Sequence, residues 1–393
     1  MKESSVATTT DFAIRGEYEP RFERVRNTLE NSLRMGEDIG ASVAVFVDGE
    51  RVVDIWGGHL DVARTREWER DTIVNMFSTT KTMTAMAALL LADKGELDFN
   101  APVAKYWPEF AAAGKQDVEV RHFLSHSAGL SGWTEPLVQE DLFDLEKITT
   151  LLAQQAPWWT PGTASGYHPI SYGPLIGEVI RRITGRSLGK FLAEEIAQPL
   201  GVDYHIGTGP ECDPRVTTMI RSSPYIQPSG TNSIADRAFF NPFVTAELSA
   251  TIPWRRAELG GSNGHGNARS VATIQSLLSN GGEALGKRLL SPSMCERALQ
   301  TETDGIDLLF GFPIRWGLGY LVGSPVLDGE FGARINGHRV ACWGGSGGSW
   351  VMNDLNTRMT IAYVMNKHVE HGGWDPRGIG MCKAAYDSLA DGK

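Results

Sequence analysis

The sequence predicts an α+β fold: an antiparallel sheet drawn from both ends of the chain, with a mainly helical lobe inserted between them. Near the N-terminus, the β-rich runs Ala41–Val47 and Arg51–Trp56 flank Asp48-Gly49, a dipeptide suited to a two-residue hairpin turn. Near the C-terminus, His338–Trp343, Ser349–Met352 and Met359–Met365 read as strands, with Asn353-Asp354-Leu355-Asn356 as a turn. Between these ends, apolar residues recur mainly at helical spacing.

Taken in order, an amphipathic helix is expected over 20–35, before the hairpin. Ile73–Phe77 reads as a short buried segment. Met83, Ala85, Met86, Leu89, Leu90 and Leu91 then place a helix directly after Ser78. Further helices are expected over 145–155, 172–184, 187–198 and 269–280, and a closing one over 379–389. The stretch 205–265 is rich in Pro, Gly, Ser and Asn but carries Tyr225, Phe239, Phe240, Phe243 and Trp254, which either line a pocket or pack beneath a loop. The expected organisation is a discontinuous α/β lobe (1–75 with 285–393), a helical lobe (76–284), and an active site in the cleft between them.

Composition narrows the function. A hydrophobic content of 41% and a charged content of 21% are those of an ordinary soluble protein, and 393 residues suffice for a large core. A net charge of −10 argues against nucleic acid and anionic membranes as partners. Met1-Lys2-Glu3-Ser4-Ser5 leads into a polar stretch without the apolar core of an export signal, and the apolar run Met83–Ala92 is too short to span a bilayer. Cys212, Cys295, Cys342 and Cys382 form no Cys-x-x-Cys pair, which suits reduced thiols in the cytoplasm rather than a zinc site or a disulfide framework. His126, His168 and His265 lack metal-ligand spacing, so no metal is expected.

Three segments carry chemistry. Ser78-Thr79-Thr80-Lys81 opens a helix, where residues three apart share a face and the Lys81 amine reaches the Ser78 hydroxyl. Such a neighbour turns a poor nucleophile into a useful one, and main-chain N–H groups at a helix start can stabilise an oxyanion. In Pro161–Pro169, Gly166 lets the backbone bring Tyr167 into a cleft, and a tyrosine near a cation can act as a general base. In Trp343-Gly344-Gly345-Ser346-Gly347-Gly348-Ser349, the glycines allow close approach of main chain to a ligand.

Together, Ser-x-x-Lys, Pro-Gly…Tyr and Trp-Gly-Gly resemble the penicillin-recognising serine hydrolases, and more narrowly the family VIII carboxylesterases, relatives of class C β-lactamases. Leu124–Leu130 and Asn263-Gly264-His265-Gly266 are also similar to segments of that family. The resemblance runs from about residue 20 to 390. It implies a β-lactamase/transpeptidase-like fold and an acyl-serine mechanism without metal or organic cofactor. Ser78 then matches the nucleophile, Lys81 its activating partner, and Tyr167 the group that takes the serine proton and returns it to the leaving group. The N–H groups of Ser78 and Ser346 would hold the oxyanion, while Trp343, Gly344, Gly345 and His168 would contact substrate. Two departures stand out: Tyr167-His168-Pro169 replaces Tyr-x-Asn, and Trp343 replaces the lysine of Lys-Thr-Gly. Both favour small to medium neutral carboxylic esters over β-lactams. The alternatives are a β-lactamase, a D-amino-acid peptidase or amidase, or an acyltransferase.

Gly-x-Ser-x-Gly occurs around Ser262 and Ser346, which would suggest an α/β-hydrolase. Only 47 residues follow Ser346, too few for the rest of that fold, and no convincing strand precedes Ser262. Trp133, Trp158, Trp159, Phe239 and Trp316 are candidate pocket residues by composition, with core packing as the alternative.

Overall fold

Both ends of the chain meet in one antiparallel sheet. The computed structural model describes residues 13–225, 227–231, 233–323, 331–332, 335–369 and 375–391; the polar Met1–Ser5 stretch lies outside them. The sheet strands are β1 (Arg15–Tyr18), β2 (Gly40–Val47), β3 (Glu50–Gly58), β4 (Thr303–Ile306), β5 (Pro313–Trp316), β6 (Leu321–Val322), β7 (Val340–Gly344), β8 (Trp350–Asp354) and β9 (Met359–Met365). Their order across the sheet is β1-β3-β2-β9-β8-β7-β6-β5-β4. The ends join at β2 and β9, paired from Val47↔Met359 to Ala41↔Met365. The β2–β3 turn is tight as expected: Asp48 (φ 50°) and Gly49 (φ 83°) both lie in the left-handed region, as a type I′ turn requires.

Five helices position the sheet and the site: α1 (Glu23–Met35), α2 (Thr80–Asp93), α3 (Tyr172–Thr184), α4 (Ala268–Ser279) and α5 (Pro376–Asp391). Helices α1 and α5 pack together and on the sheet, and α4 packs on β2, β8 and β9. Strands β2 and β9 are buried along their whole length, so they read as continuous apolar runs rather than alternating ones. Helix α2 is buried on every side from Thr80 to Leu91, with no exposed polar face: its apolar residues follow a first stretch carrying the buried Thr80, Lys81, Thr82 and Thr84.

A second, four-stranded sheet aims the start of α2. Ile73–Asn75 lies between Val216–Thr217 and Gly264–Gly266, with Tyr204–Ile206 beyond. These strands of two or three residues come largely from the stretch whose sequence showed no period, because such a strand is too short to display one. The helix expected over 187–198 is interrupted by a π turn at Ala193–Ala197. Pro199, which has no N–H to donate into a regular ladder, follows that turn. Strand β8 runs on to Asp354, beyond the expected turn start. The buried Asp354 carboxylate accepts from His338 Nδ1 and Tyr386 Oη, both at 2.6 Å, and from the N–H groups of Asn356 and Thr357.

All four cysteines are buried and unpaired. Among the described residues, no helix is long and apolar enough to cross a membrane. The first turn of α5 is fastened by Arg377, which donates to Asp38 (2.9 Å), Asp375 (2.6 Å) and the carbonyls of Gly347 (2.6 Å) and Lys367 (3.1 Å). Tyr363 of β9 donates to the same Asp38 carboxylate at 2.7 Å. Without Asp38, Arg377 would keep Asp375, but the buried Tyr363 hydroxyl would lose its acceptor. Asp38→Ala is therefore expected to lower unfolding stability by about 1–3 kcal/mol, read as a lower urea midpoint with an unchanged slope.

Candidate functional site

The site begins at a strand–turn–helix junction. After Ile73–Asn75, the Met76 N–H bonds to the Gly264 carbonyl at 2.9 Å, and a single 3₁₀ turn, Phe77–Thr79, leads into α2. Phe77 has φ 41°, a conformation costing a non-glycine residue on the order of 1–3 kcal/mol. Its ring is held against His368 (5.6 Å) and Trp254 (6.3 Å). The next residue, Ser78, is left half-buried and facing a cavity.

Lys81 lies one turn on, 1% exposed, with its Nζ 3.2 Å from Ser78 Oγ. Its remaining partners are the carbonyl oxygens of Pro169 (2.7 Å) and Gly261 (2.8 Å). Burial pulls its pKa well below the 10.5 of an ordinary lysine, toward the neutral amine. Tyr167 is hydrogen-bonded through its hydroxyl to Ser78 and accepts from Trp343 Nε1 at 3.3 Å. Burial pushes this phenol upward, so it holds its proton. Lys81 Nζ sits 4.8 Å from the centre of the tyrosine ring. Trp316 stacks on that ring at 6.0 Å and 11°, with Phe310 and Trp343 against it at 5.0 and 5.2 Å.

The glycine-rich run closes the site from the end of β7. A Cβ on Gly345 would come within 2.1 Å of the Met76 carbonyl, so only glycine lets this main chain lie against the turn bearing Ser78. Ser349 secures the contact, donating to the Met76 carbonyl at 3.0 Å and bonding Thr79 Oγ1 at 2.9 Å. Ser346 is exposed to the cavity, with its Oγ 2.9 Å from His368 Nε2. Burial pulls His368 down to about 4, leaving it neutral at ordinary pH.

The cavity has a volume of about 480 Å³ and is bounded by Ser78, Tyr167, Trp343 and Gly344–Gly348. Its apolar walls come from Tyr225, Phe239, Phe240 and Phe243 on one segment and Phe310 and Phe312 on another. Part of the irregular stretch thus lines the pocket, whereas Trp254 is buried and donates to Asn75 Oδ1 at 3.1 Å. Of the other aromatic candidates, Trp133 and Trp316 are core residues, and Trp158 and Trp159 do not line the cavity.

Ser78, Lys81, Tyr167, Trp343, Gly344, Gly345 and Ser346 are brought together. His168 is not: its ring turns inward, where Nδ1 meets the Gly166 carbonyl at 2.7 Å and burial pulls its pKa to about 3. Its N–H bonds to Nδ1 of His126, another buried neutral histidine. Among the described residues no grouping of His, Cys, Asp and Glu could hold a metal. Ser262 does line the cavity, but its Oγ donates to the Pro169 carbonyl at 3.3 Å, and the chain around it runs helix–loop–strand. Ser346 lies in a strand–loop–strand connection. Neither forms the strand–turn–helix elbow of an α/β-hydrolase. Sequence reasoning missed Phe77, His368 and Asp307; of these, only Asp307 left a trace, a single acid within Ile306-Asp307-Leu308-Leu309-Phe310.

With this geometry, comparison with known proteins is decisive about ancestry. The Beta-lactamase family profile matches residues 25–379. The chain belongs to the Beta-lactamase family. It is 32% identical to Esterase/beta-lactamase LipL of Mycobacterium tuberculosis, over 90% of this chain and 82% of that one. It is 27% identical to Esterase EstB of Burkholderia gladioli, over 92% and 94% of the two chains. Among solved structures, a family VIII carboxylesterase superposes with a TM-score of 0.89 at 38% identity, covering 96% of this chain and all of that one. The family fold therefore accounts for the two-ended sheet. A serine-directed phosphonate is expected to add at Ser78 and at neither Ser262 nor Ser346, as read by peptide mapping; an adduct at either of the latter would misplace the nucleophile.

Proposed function

We propose that this protein is a serine carboxylesterase that cleaves small to medium neutral esters through an acyl-Ser78 intermediate. The observation that carries this reading is the contact of the buried Lys81 Nζ with Ser78 Oγ, in a setting that favours the neutral amine. A neutral amine has two N–H groups, and the Pro169 and Gly261 carbonyls accept both. Its lone pair is left for the Ser78 hydroxyl, 3.2 Å away. Ser78 Oγ attacks the ester carbonyl as its proton passes to Lys81 Nζ. The N–H groups of Ser78 and Ser346 stabilise the oxyanion. Tyr167, which burial keeps protonated, gives its proton to the departing alkoxide and regains one from the Lys81 ammonium. This division assigns the base role to Lys81 and the acid role to Tyr167, in place of one tyrosine doing both. Water then releases the acid; an alcohol in its place gives acyl transfer.

Substrate class follows from charge. None of the described residues lining the cavity is Lys or Arg, and Trp343 stands where β-lactamases carry a lysine. Among those described residues a β-lactam carboxylate meets no cation, which places β-lactamase and D-amino-acid peptidase activity second. The similarity to Esterase EstB and to a family VIII carboxylesterase supports the esterase reading, whereas LipL carries both activities in its name. We also propose a two-lobed organisation, 1–75 with 285–393 around an inserted 76–284, with α4 docked on the sheet. Unpaired buried thiols and a net charge of −10 support a cytoplasmic setting without nucleic-acid or membrane partners.

On p-nitrophenyl butyrate and a chromogenic cephalosporin, the ester is expected to turn over faster, and Ser78→Ala to lose at least about 10³-fold. Dominant cephalosporin cleavage would reverse the substrate assignment. Because the active form carries neutral Lys81, kcat/KM is expected to rise with pH through an inflection well below 10.5. An inflection at or above that value would exclude Lys81 as the base.

A further inference from the structure

We propose that Asp307 is a positioning residue for Tyr167, holding the tyrosine's main chain and the ring stacked on it so that the phenol stays aimed at Ser78 and the departing alcohol. The proposal rests on the acid role given to Tyr167 above.

Asp307 follows β4 and is completely buried. Its Oδ1 accepts the N–H groups of Tyr167 (3.1 Å), Leu309 (3.0 Å) and Phe310 (3.2 Å), and its Oδ2 accepts Trp316 Nε1 at 3.3 Å. All four partners are donors, so the group serves purely as an acceptor, as an ionised carboxylate does. Two of those donors lie on one ring: Phe310 and Trp316 pack on Tyr167, and Trp316 also meets Trp343 at 4.7 Å, the residue donating to the tyrosine hydroxyl. The carboxylate thus ties the main chain of Tyr167 to two residues that pack on its ring, both carried by the β4–β5 hairpin. Other groups facing the tyrosine are Lys81 from α2, Tyr172 from α3 and the neutral His126. Against them Asp307 contributes a negative charge that favours the protonated phenol, the form a proton donor needs.

As the tetrahedral intermediate collapses, the bond from the acyl carbon to the alcohol oxygen breaks, and the Tyr167 proton goes to that oxygen. An alkoxide needs this proton; p-nitrophenolate leaves without it. A disturbed Tyr167 must therefore harm alkyl esters more than p-nitrophenyl esters of the same acid, whereas a merely structural defect harms both alike.

The test measures kcat/KM on ethyl butyrate and p-nitrophenyl butyrate for the wild type, Asp307→Asn and Trp316→Phe, with Ser78→Ala alongside. Asparagine retains the Oδ1 acceptor and its three main-chain bonds but loses the charge and the acceptor for Trp316. Phenylalanine retains a stacked ring and loses one N–H. Asp307→Asn is expected to lower ethyl ester turnover at least about tenfold further than p-nitrophenyl ester turnover, and Trp316→Phe to shift the ratio the same way by less. Equal losses on both esters, or no loss on either, would overturn the proposal. If Asp307→Asn does not fold, the ratio for Trp316→Phe decides by the same criterion. Wild-type turnover that survives Ser78→Ala would instead sink the assignment of the site itself.

Discussion

A lysine buried without a carboxylate is the constraint around which this structure is arranged. Desolvating an ammonium is costly, and in its neutral form the amine still has two N–H groups to satisfy. The chain meets that need with main-chain oxygens rather than an acid. Pro169 and Gly261 come from segments far apart in sequence, and both converge on Lys81. An acid in either place would have held the lysine charged and removed its use as a base. Much else follows: α2 is buried all round because its first turn must be dry, and the short second sheet brings Gly261 and the Ser78 turn to the same point.

Electrostatics then divides the labour between neighbours. The same low-dielectric surroundings lower a lysine and raise a tyrosine, so burial is the largest influence driving Lys81 toward its basic form and Tyr167 toward its acidic one, with the Asp307 charge adding to the rise of the tyrosine. Two groups beside one serine thus come to differ in role chiefly through burial. The main-chain side of the site is built with similar economy. Gly345, lying against the Met76 carbonyl, brings the end of a sheet strand to the start of a helix, with Ser349 and Thr79 closing the seam.

The sequence made the central elements legible where periodicity and spacing were long or local. The β2–β3 hairpin, α3 and α4 were readable from turn chemistry and from apolar repeats more than two turns long. Ser78 and Lys81 were readable because three residues on a helix are one step in space. Tyr167 and Trp343 emerged from resemblance, since nothing in local spacing ties them to Ser78. Strands β4–β6 were missed because two to four residues display no period. His168 was misplaced: next to Tyr167 in sequence, it turns its ring into the protein while the tyrosine faces the cavity. Asp307 was passed over because its partners are main-chain N–H groups, which no side-chain motif announces.

The join between β2 and β9 also sets a timetable for synthesis. Strand β2 finds its second neighbour more than 300 residues later in the chain. At about 5–20 residues per second, a ribosome takes roughly 15–60 s to deliver it. Throughout that interval the β2–β3 hairpin waits with one edge unpaired and a mainly apolar strand uncovered, a template for any neighbouring nascent chain. The segment that must be shielded during birth is therefore the one that later lies deepest in the sheet.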